Sequence, residues 1–285
     1  MIDAKTRLLG VIGHPIRHSL SPAMHNAVFK ETGLNYVYLA FDVAPENLSS
    51  VIECSRALGI AGLNVTIPHK VSVIPLLDRL SREARLIGAV NTVHFTEEGS
   101  VGYNTDGVGC VRALRESGID VKGKSIFIVG AGGASRAISF QCALEGAELS
   151  ITNRAEEMYM AADLSGDIKD MLGKDVEVVD FSIGNIKEKL DDADILIHTT
   201  PVGMYPDVDA SIVPAEIIPS DIAVMDIVYN PVETKLLRDA KKRGCKVVDG
   251  VGMLTHQGAE SLRIWLDIEP PIDIMGDAVE GGLMK

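Results

Sequence analysis

Short apolar segments alternate with longer amphipathic segments along this chain. In its first part, the pattern predicts strands at residues 7–12, 36–43, 60–65, 90–95 and 100–103. It predicts helices at 22–32, 45–58 and 75–87. The first helix has Ser21 as its predicted N-cap, Pro22 at its first position and Gly33 at its end. The last two strands meet at a Glu98-Gly99 turn, so this part predicts an α/β unit with a mixed sheet.

The second part of the chain repeats a strand-then-helix order. Strands are predicted at 125–129, 147–152, 176–180, 194–199, 222–228 and 246–248. One helix is predicted after Asp106 and another after the glycine-rich run 130–133. Further helices are predicted at 156–172, 234–243 and 253–266. The segment 125–129 is short and apolar, which is typical of the centre of a parallel sheet. Regular alternation of this kind predicts a doubly wound fold.

Composition and charge narrow the possible functions. The 285 residues suffice for two domains, and 46% hydrophobic with 24% charged residues is an ordinary globular balance. A net charge of −13 argues against nucleic-acid and anionic-membrane binding. The sequence has no run long enough to span a bilayer and no signal-peptide pattern, and its four cysteines are scattered, so a cytoplasmic protein is expected. The seven histidines form no metal-site motif, so no metal is expected.

A lysine follows the apolar segment 60–65. Pro68 cannot donate a hydrogen bond to a sheet, so strand pairing ends there and the chain turns outward. Ligands of open α/β sheets bind at the carboxyl ends of the strands, which makes Lys70 a candidate for proton transfer. Taken alone, Lys70 is better explained as a solvated surface lysine after a loop proline.

Two further loops with small polar groups change that interpretation. Asp106, in the run 104–107, either caps the helix that follows or acts as the carboxylate partner of the Lys70 ammonium. Asn91, in the run 88–92, either ties down a turn or binds a substrate hydroxyl. Together the three loops favour a site for a polyol or a hydroxy acid.

A glycine-rich loop follows the apolar segment 125–129. Gly130 permits a tight turn, Gly132 lets the backbone approach a pyrophosphate, and the next helix supplies free amides at its N-terminus. Ser135 stands where the dinucleotide-binding fingerprint has its third glycine, and it is small enough to keep the helix close to the strand. The order strand, loop, helix predicts a dinucleotide site.

The residues after the next strand favour NADP over NAD. Folds that bind NAD place an acidic residue there to hold the ribose diol, whereas folds that bind NADP place an arginine near the 2′-phosphate. Here the chain reads Thr152-Asn153-Arg154, and the first carboxylate is Glu156. The competing interpretation is that Arg154 is a surface residue and that the site holds NAD.

The motifs together resemble the shikimate dehydrogenase family, whose members use NADP to interconvert shikimate and 3-dehydroshikimate in aromatic amino-acid biosynthesis. The resemblance extends over nearly the whole chain and rests on the runs 13–16, 18–22, 64–70, 88–92, 104–107, 130–137, 153–154, 201–204, 226–231 and 252–257. The sequence departs from the family at Ala155, where threonine is frequent, and at His198, where asparagine is more frequent.

The resemblance implies two α/β domains. Residues 1–106, completed by the C-terminal helices in 251–285, are expected to form the substrate-binding and catalytic domain with the mixed sheet. Residues 107–250 are expected to form a Rossmann-like, doubly wound NADP-binding domain. The family also suggests that the protein forms a homodimer. Its expected partners are small molecules.

The resemblance also implies the site residues, with Lys70 and Asp106 catalytic. Substrate is expected to contact Ser19, Ser21, Thr66, Lys70, Asn91, Asp106, Tyr229 and Gln257. NADP is expected to contact Gly130, Ala131, Gly132, Gly133, Ala134, Asn153, Arg154, Thr200, Met204, Ile227, Gly250 and Met253. Two of the substrate residues have a competing structural role, Ser21 as an N-cap and Tyr229 as an aromatic side chain that closes the core.

Two alternative functions are open on the same fold. One is a quinate or dual quinate/shikimate dehydrogenase that uses NAD, against which Ser19 and Arg154 argue. The other is a non-catalytic protein that senses dinucleotides, against which the joint presence of Lys70 and Asp106 argues.

Overall fold

The chain folds into two compact units. A computed structural model describes residues 2–284. The first unit comprises the chain up to Thr105 together with the chain from Gln257 onward, and the second comprises Asp106–His256. The sequence places the corresponding boundaries after residues 106 and 250, and its assignment of one domain to substrate and the other to cofactor stays a prediction.

The chain passes through the first unit, then through the second, and returns to the first at Gln257. The first contains β1 (Arg7–Gly13), α1 (Ser21–Thr32), β2 (Tyr36–Asp42), α2 (Leu48–Ala57), β3 (Gly62–Val65), β4 (Arg79–Leu80), α3 (Arg82–Ile87), β5 (Thr92–Thr96) and β6 (Gly99–Tyr103). The second contains α4 (Asp106–Glu116), β7 (Ser125–Val129), α5 (Gly133–Leu144), β8 (Glu148–Thr152), α6 (Met158–Leu172), β9 (Val176–Val178), α7 (Ile183–Asp191), β10 (Ile195–His198), β11 (Ala223–Asp226), α8 (Lys235–Lys242) and β12 (Lys246–Val248). The chain ends with α9 (Gly250–Leu266) and α10 (Ile272–Leu283).

The sheet of the first unit is mixed, as predicted. Its strand order is β2-β1-β3-β5-β6-β4. The strands β2, β1 and β3 run parallel, whereas the hairpin β5–β6 pairs antiparallel to β3. The carboxyl ends of the three parallel strands therefore lie at one edge of the sheet, where the loops that follow them can present side chains to a ligand.

The sheet of the second unit is wholly parallel and doubly wound, which confirms the prediction. Its order is β12-β11-β10-β7-β8-β9, so the chain starts in the middle, builds outward to one side and then to the other. The central strands β7 and β10 consist largely of β-branched and aromatic residues that are no more than 1% exposed, because helices cover both faces of such a sheet. The switch of direction between β7 and β10 is where ligands bind in folds of this type.

The C-terminal helices complete the first unit. Helix α10 packs against α1. In α9 the indole of Trp265 lies directly over the backbone of Gly62, and its Nε1–H donates to the carbonyl of Val93 at 2.9 Å. A tryptophan can approach β3 this closely only because residue 62 has no side chain.

One predicted helix is interrupted in its middle, at residues 77–81. Residues 75–87 are helical only in α3 and in a short 3₁₀ turn at Ile74–Leu76, and between them β4 pairs with β6. The Asp78 carboxylate accepts hydrogen bonds from the amide and the hydroxyl of Ser100, at 2.7 and 2.9 Å. These bonds hold the segment against β6, so tertiary pairing overrides the helical periodicity.

Two other local details differ from the sequence analysis. The N-cap of α1 is Leu20 rather than Ser21, and no side chain caps this helix. Helix α7 has no counterpart in the sequence analysis, because only Ile186 and Leu190 of its residues are buried. Its start is set instead by the Ser182 hydroxyl, which accepts from the amide of Asn185 at 3.1 Å.

The contact between Gly62 and the chain's single tryptophan generates a stability prediction. A Cβ at residue 62 would lie 2.2 Å from Nε1 of Trp265, so Gly62→Ala must displace the indole and break its bond to Val93. We expect the free energy of unfolding to fall by about 2–4 kcal/mol. Denaturant titration followed by tryptophan fluorescence measures the free energy of unfolding. The native emission of Trp265 should also shift to the red, because the displaced indole is more exposed to water.

Gly276→Ala in α10 is the matched control for this substitution. A Cβ there meets no atom within 4 Å, so we expect stability to be unchanged or slightly increased. Equal effects of the two substitutions would contradict the proposed packing of Trp265.

Candidate functional site

The loop after β3 holds the Lys70 backbone in a defined position. His69 is fully buried, and its Nε2–H donates to the carbonyl of Val43 at 2.7 Å. The carbonyl of Lys70 accepts from the amide of Val90 at 2.8 Å, which joins this loop to the segment that precedes β5. Lys70 itself is half-buried at the edge of the sheet. It is therefore an anchored residue at a strand end, not a lysine on a mobile surface loop.

The Asn91 side chain connects two of the predicted loops. It is 3% exposed, its Nδ2 donates to Oγ1 of Thr105 at 2.9 Å, and its Oδ1 accepts from the amide of Thr105 at 2.9 Å. The amide thus ties the run 104–107 to β5, which was one of the two roles considered from sequence. Asp106 follows Thr105 directly, is 7% exposed and begins α4. The boundary between the compact units falls between Thr105 and Asp106. Lys70 and Asp106 therefore belong to different units.

The two serines predicted to bind substrate have different surroundings. The Ser19 hydroxyl oxygen accepts from the amide of Ser21 at 3.3 Å, which uses a lone pair and leaves the hydroxyl proton for a ligand. Ser21 is buried, and its hydroxyl bonds to the phenol oxygen of Tyr38 instead of capping α1. Ser19 is therefore the better placed of the two to donate to a carboxylate.

A buried hydrogen-bond network lies behind these residues. The Tyr38 hydroxyl donates to Oδ1 of Asn64 at 2.6 Å. The Nδ2 of Asn64 shares its two protons among three acceptors, the carbonyl of Asn91 at 3.1 Å, Oγ1 of Thr92 at 3.0 Å and Oγ of Ser261 at 2.9 Å. Burial raises the pKa of Tyr38 well above its ordinary value, a shift that the bond from Ser21 only partly opposes. The phenol is therefore neutral and donates.

Sequence reasoning missed Tyr38 and Ser261 in this network. The available signal was Asn64, an amide within the otherwise apolar segment 60–65, because a buried amide requires partners. Nothing in the sequence indicates that one of those partners is 197 residues away on α9.

The remaining predicted substrate residues lie in both units. Thr66 and Gln257 are half-buried in the first unit, where the amide of Thr66 donates to the carbonyl of Ile12 at 2.9 Å. Tyr229 is half-buried in the second unit, and burial raises the pKa of its phenol, which therefore stays neutral. A contact between these side chains and a substrate stays a prediction.

A cleft of about 410 Å³ lies along the glycine loop of the second unit. Six of the predicted cofactor residues line it: Gly130, Ala131, Gly132, Asn153, Arg154 and Thr200. Of the others, Gly133 and Ala134 lie in the first turn of α5. A Cβ at Gly250 would lie 2.4 Å from the carbonyl oxygen of Ile227, so these two backbones are close neighbours. Met204 is 46% exposed and Met253 is 8% exposed. The cleft therefore unites the phosphate-binding and ribose-binding candidates.

The glycine loop has the geometry that its sequence predicts. Gly130 has a φ of 114°, and a Cβ there would lie 2.4 Å from Oγ1 of Thr199, so only glycine fits. At Gly132 and Gly133 a Cβ would meet no atom within 4 Å, which leaves space for a ligand against the backbone. Ser135 is fully buried and donates to the carbonyl of Gly130 at 2.6 Å. The serine thus reinforces the loop, and the loop fits a pyrophosphate at the N-terminus of α5.

Arg154 has a carboxylate partner that the sequence analysis overlooked. Its guanidinium forms an ion pair with Glu157, and both residues line the cleft. The hydrogen bond from Arg154 lowers the pKa of Glu157, and the same bond raises the pKa of the arginine. The first carboxylate after the strand in sequence is Glu156, but the one placed in the cleft is Glu157.

His198 belongs to a buried polar chain that ends at the cleft. Its Nδ1 bonds to the Asp226 carboxylate at 2.9 Å, and its Nε2 bonds to Oγ1 of Thr200 at 2.6 Å. The other oxygen of Asp226 accepts from Oγ1 of Thr234 at 2.7 Å. The histidine that departs from the family pattern therefore has partners at both ring nitrogens, and it orients Thr200 in the cleft.

Two classes of feature are not found in the described part of the chain. Between residues 2 and 284, no group of three or more His, Cys, Asp or Glu side chains is placed to hold a metal ion. Over the same residues, no helix combines the length and the apolar character needed to cross a membrane.

Comparison with known proteins identifies related sequences and structures. Residues 11–93 match the shikimate dehydrogenase substrate binding domain, and residues 250–280 match the shikimate 5′-dehydrogenase C-terminal domain. The shikimate dehydrogenase (NADP(+)) of Methanocaldococcus jannaschii is 50% identical over 287 residues, covering 100% of both chains.

Two solved structures are similar over nearly their whole length. A crystal structure of a shikimate dehydrogenase in complex with NADP⁺ has a TM-score of 0.94 and 47% identity, covering 100% of this chain and 98% of that one. The shikimate 5-dehydrogenase of Listeria monocytogenes in complex with shikimate and NAD has a TM-score of 0.93 and 39% identity, covering 97% of each chain. Because identity of this level extends over the full length, this chain belongs to the shikimate dehydrogenase family.

Proposed function

We propose that this chain is an NADP-dependent oxidoreductase that reversibly reduces 3-dehydroshikimate to shikimate, a reaction of aromatic amino-acid biosynthesis. The observation that carries the proposal is the full-length match to shikimate dehydrogenase (NADP(+)) at 50% identity. An anchored Lys70 at a strand end and a cleft beside a glycine loop suited to a pyrophosphate support it.

The proposed chemistry assigns a role to each group of residues. NADPH supplies a hydride when it is bound. Lys70 donates a proton to the carbonyl oxygen of dehydroshikimate or stabilises the negative charge that develops there, with Asp106 as its carboxylate partner. Ser19, Ser21, Thr66, Asn91, Tyr229 and Gln257 hold the substrate, with Ser19 donating to its carboxylate.

The cofactor residues are proposed to act on separate parts of NADP. The amides at 130–134 bind the pyrophosphate, Asn153 and Arg154 bind the ribose that carries the 2′-phosphate, and Thr200 orients the chain of phosphates. Met204, Ile227, Gly250 and Met253 hold the nicotinamide end.

We propose in addition that the enzyme works in the cytoplasm as a homodimer and acts on small molecules only. The net charge of −13 repels nucleic acids and anionic membranes. The four cysteines are free, as is usual in a reducing compartment. Light scattering during gel filtration tests the dimer.

One assay distinguishes this function from its alternatives. Purified protein is mixed with shikimate or quinate and with NADP⁺ or NAD⁺ at alkaline pH, where oxidation is favoured, and reduced cofactor is followed by absorbance. Of the four combinations, we expect shikimate with NADP⁺ to have the highest kcat/KM. Preference for quinate and NAD⁺ would assign the quinate dehydrogenase activity, and no turnover in any combination would favour a dinucleotide sensor.

Replacement of Lys70 tests the proposed proton transfer. Lys70→Ala should lower kcat by about 10²–10⁴, the usual effect of losing a general acid–base group. KM for shikimate should change far less, because the carboxylate contacts remain. Lys30→Ala, at an exposed lysine of α1, serves as the control and should keep wild-type rates. A Lys70→Ala enzyme with more than half of the wild-type kcat would remove this residue from the mechanism.

Replacement of Ser19 tests the proposed carboxylate contact. Ser19→Ala should raise KM for shikimate by about ten- to a hundredfold, the equivalent of one hydrogen bond to a charged group. KM for NADP⁺ should change little, and Ser50→Ala at an exposed position of α2 should change neither constant. An unaltered KM for shikimate would show that Ser19 serves the loop alone.

Replacement of Arg154 tests the proposed 2′-phosphate contact. Arg154→Ala should raise KM for NADP⁺ by about tenfold or more and leave KM for NAD⁺ nearly unchanged, because NAD⁺ has no phosphate there. The wild-type preference should weaken as salt rises, since an exposed ion pair is screened. Equal losses with both cofactors would assign Arg154 to the fold or to the adenine contact.

A further inference from the structure

The cofactor cleft contains a carboxylate beside its proposed phosphate-binding arginine. The Glu157 side chain pairs with the Arg154 guanidinium, and the two side chains are 32% and 67% exposed. Both line the same cleft as Gly130, Gly132 and Asn153. A ligand that approaches Arg154 from this cleft therefore meets Glu157 as well.

The backbone of the turn holds Glu157 in this position. Its amide donates to the carbonyl of Arg154 at 2.9 Å, and its carbonyl accepts from Nδ2 of Asn153 at 3.0 Å. Asn153 is itself 7% exposed, so the anchor is fixed in the protein. The neighbouring Glu156 is exposed and does not line the cleft. Glu157 is thus distinguished from Glu156 by position, although the two have the same charge.

The two cofactors respond to this carboxylate in opposite ways. The 2′-phosphate of NADP carries nearly two negative charges at neutral pH, so it is repelled by Glu157 and competes with it for the same guanidinium. The 2′-hydroxyl of NAD is neutral, and an acidic side chain near this strand end is the usual acceptor for it. One residue can therefore oppose the first cofactor and assist the second.

We propose that Glu157 is a specificity-determining residue that lowers the preference for NADP over NAD below the level that Arg154 alone would set. The inference rests on the proposed function, since it requires that the adenosine ribose of a dinucleotide binds at Arg154. The carboxyl group is ionised at neutral pH, because the hydrogen bond from Arg154 lowers its pKa. The chain therefore combines the arginine typical of NADP sites with the carboxylate typical of NAD sites.

The matched variants Glu157→Gln and Glu156→Gln test this role in the full-length protein. Each removes one negative charge from the same turn and keeps the shape of the side chain. Dissociation constants for NADP⁺, NAD⁺, 2′,5′-ADP and 5′-AMP are measured by calorimetry, and kcat/KM for shikimate is measured with both dinucleotides. The two nucleotides restrict the comparison to the adenosine half of the cofactor.

We expect Glu157→Gln to tighten the binding of NADP⁺ and 2′,5′-ADP by about two- to fivefold, the upper part of the range for one exposed charge interaction. NAD⁺ and 5′-AMP should bind equally well or more weakly, so the ratio of kcat/KM values should shift toward NADP⁺ by at least the same factor. Glu156→Gln should shift the ratio by less than about twofold, because its charge lies outside the cleft and is screened by solvent.

The outcomes separate this inference from the function on which it rests. If wild-type protein oxidises shikimate with NADP⁺ but Glu157→Gln has the cofactor ratio of wild type or of Glu156→Gln, the inference is overturned and the function stands. If wild-type protein binds neither dinucleotide, the proposed function is wrong and the inference falls with it. Equal tightening of 2′,5′-ADP and 5′-AMP would also overturn the inference, since it would show that Glu157 does not distinguish the 2′ substituent.

Discussion

A buried amide in a short strand organises the first unit. Asn64 lies in β3 between apolar neighbours, and its side chain bonds to groups on β2, on β5 and on α9. A buried amide that loses one partner costs about 1–3 kcal/mol, so this arrangement is most stable when all the partners are in place. The hydrogen bonds of Asn64 therefore connect β3, which leads to Lys70, with the segment that carries Asn91 and with α9. In the first unit, the positions of Lys70 and Asn91 therefore depend on this one buried amide.

The second unit reaches its geometry by a different route. Its central strands are apolar on both faces, and the ligand site forms where the strand order reverses between β7 and β10. Polar side chains next to the site then hold its residues in place. Ser135 bonds to the carbonyl of Gly130 in the glycine loop, and His198 bonds to the hydroxyl of Thr200. Both residues depart from the patterns expected of their positions, and each has a hydrogen bond that explains how the departure is accommodated.

The sequence predicted most of the fold because its strongest signals were local. The apolar strand 125–129, the glycine loop after it and the Glu98-Gly99 turn each follow from a short run of residues, and all three are observed. The helix predicted at 75–87 is interrupted at 77–81 because Asp78 bonds to Ser100, a contact that periodicity does not reveal. Long-range partners of this kind lie outside the reach of local patterns.

The sequence identified candidate site residues, but it did not reveal which residues they contact. Lys70, Asp106 and Arg154 stand out from motifs, whereas the place of Glu157 in the cleft depends on the turn between β8 and α6. Asn64 was visible as a polar residue in an apolar strand, but its bond to Ser261 was not.

Hydrogen exchange of an Asn64→Ala variant tests most directly whether this amide holds the first unit together. We expect faster exchange than in wild type in peptides that cover 62–65, 91–96 and 257–266, because these segments lose a shared hydrogen-bond partner. Exchange at 125–129 should be unchanged, since that strand belongs to the other compact unit. Unaltered exchange in the first unit, or an equal increase in both units, would show that Asn64 does not hold the first unit together.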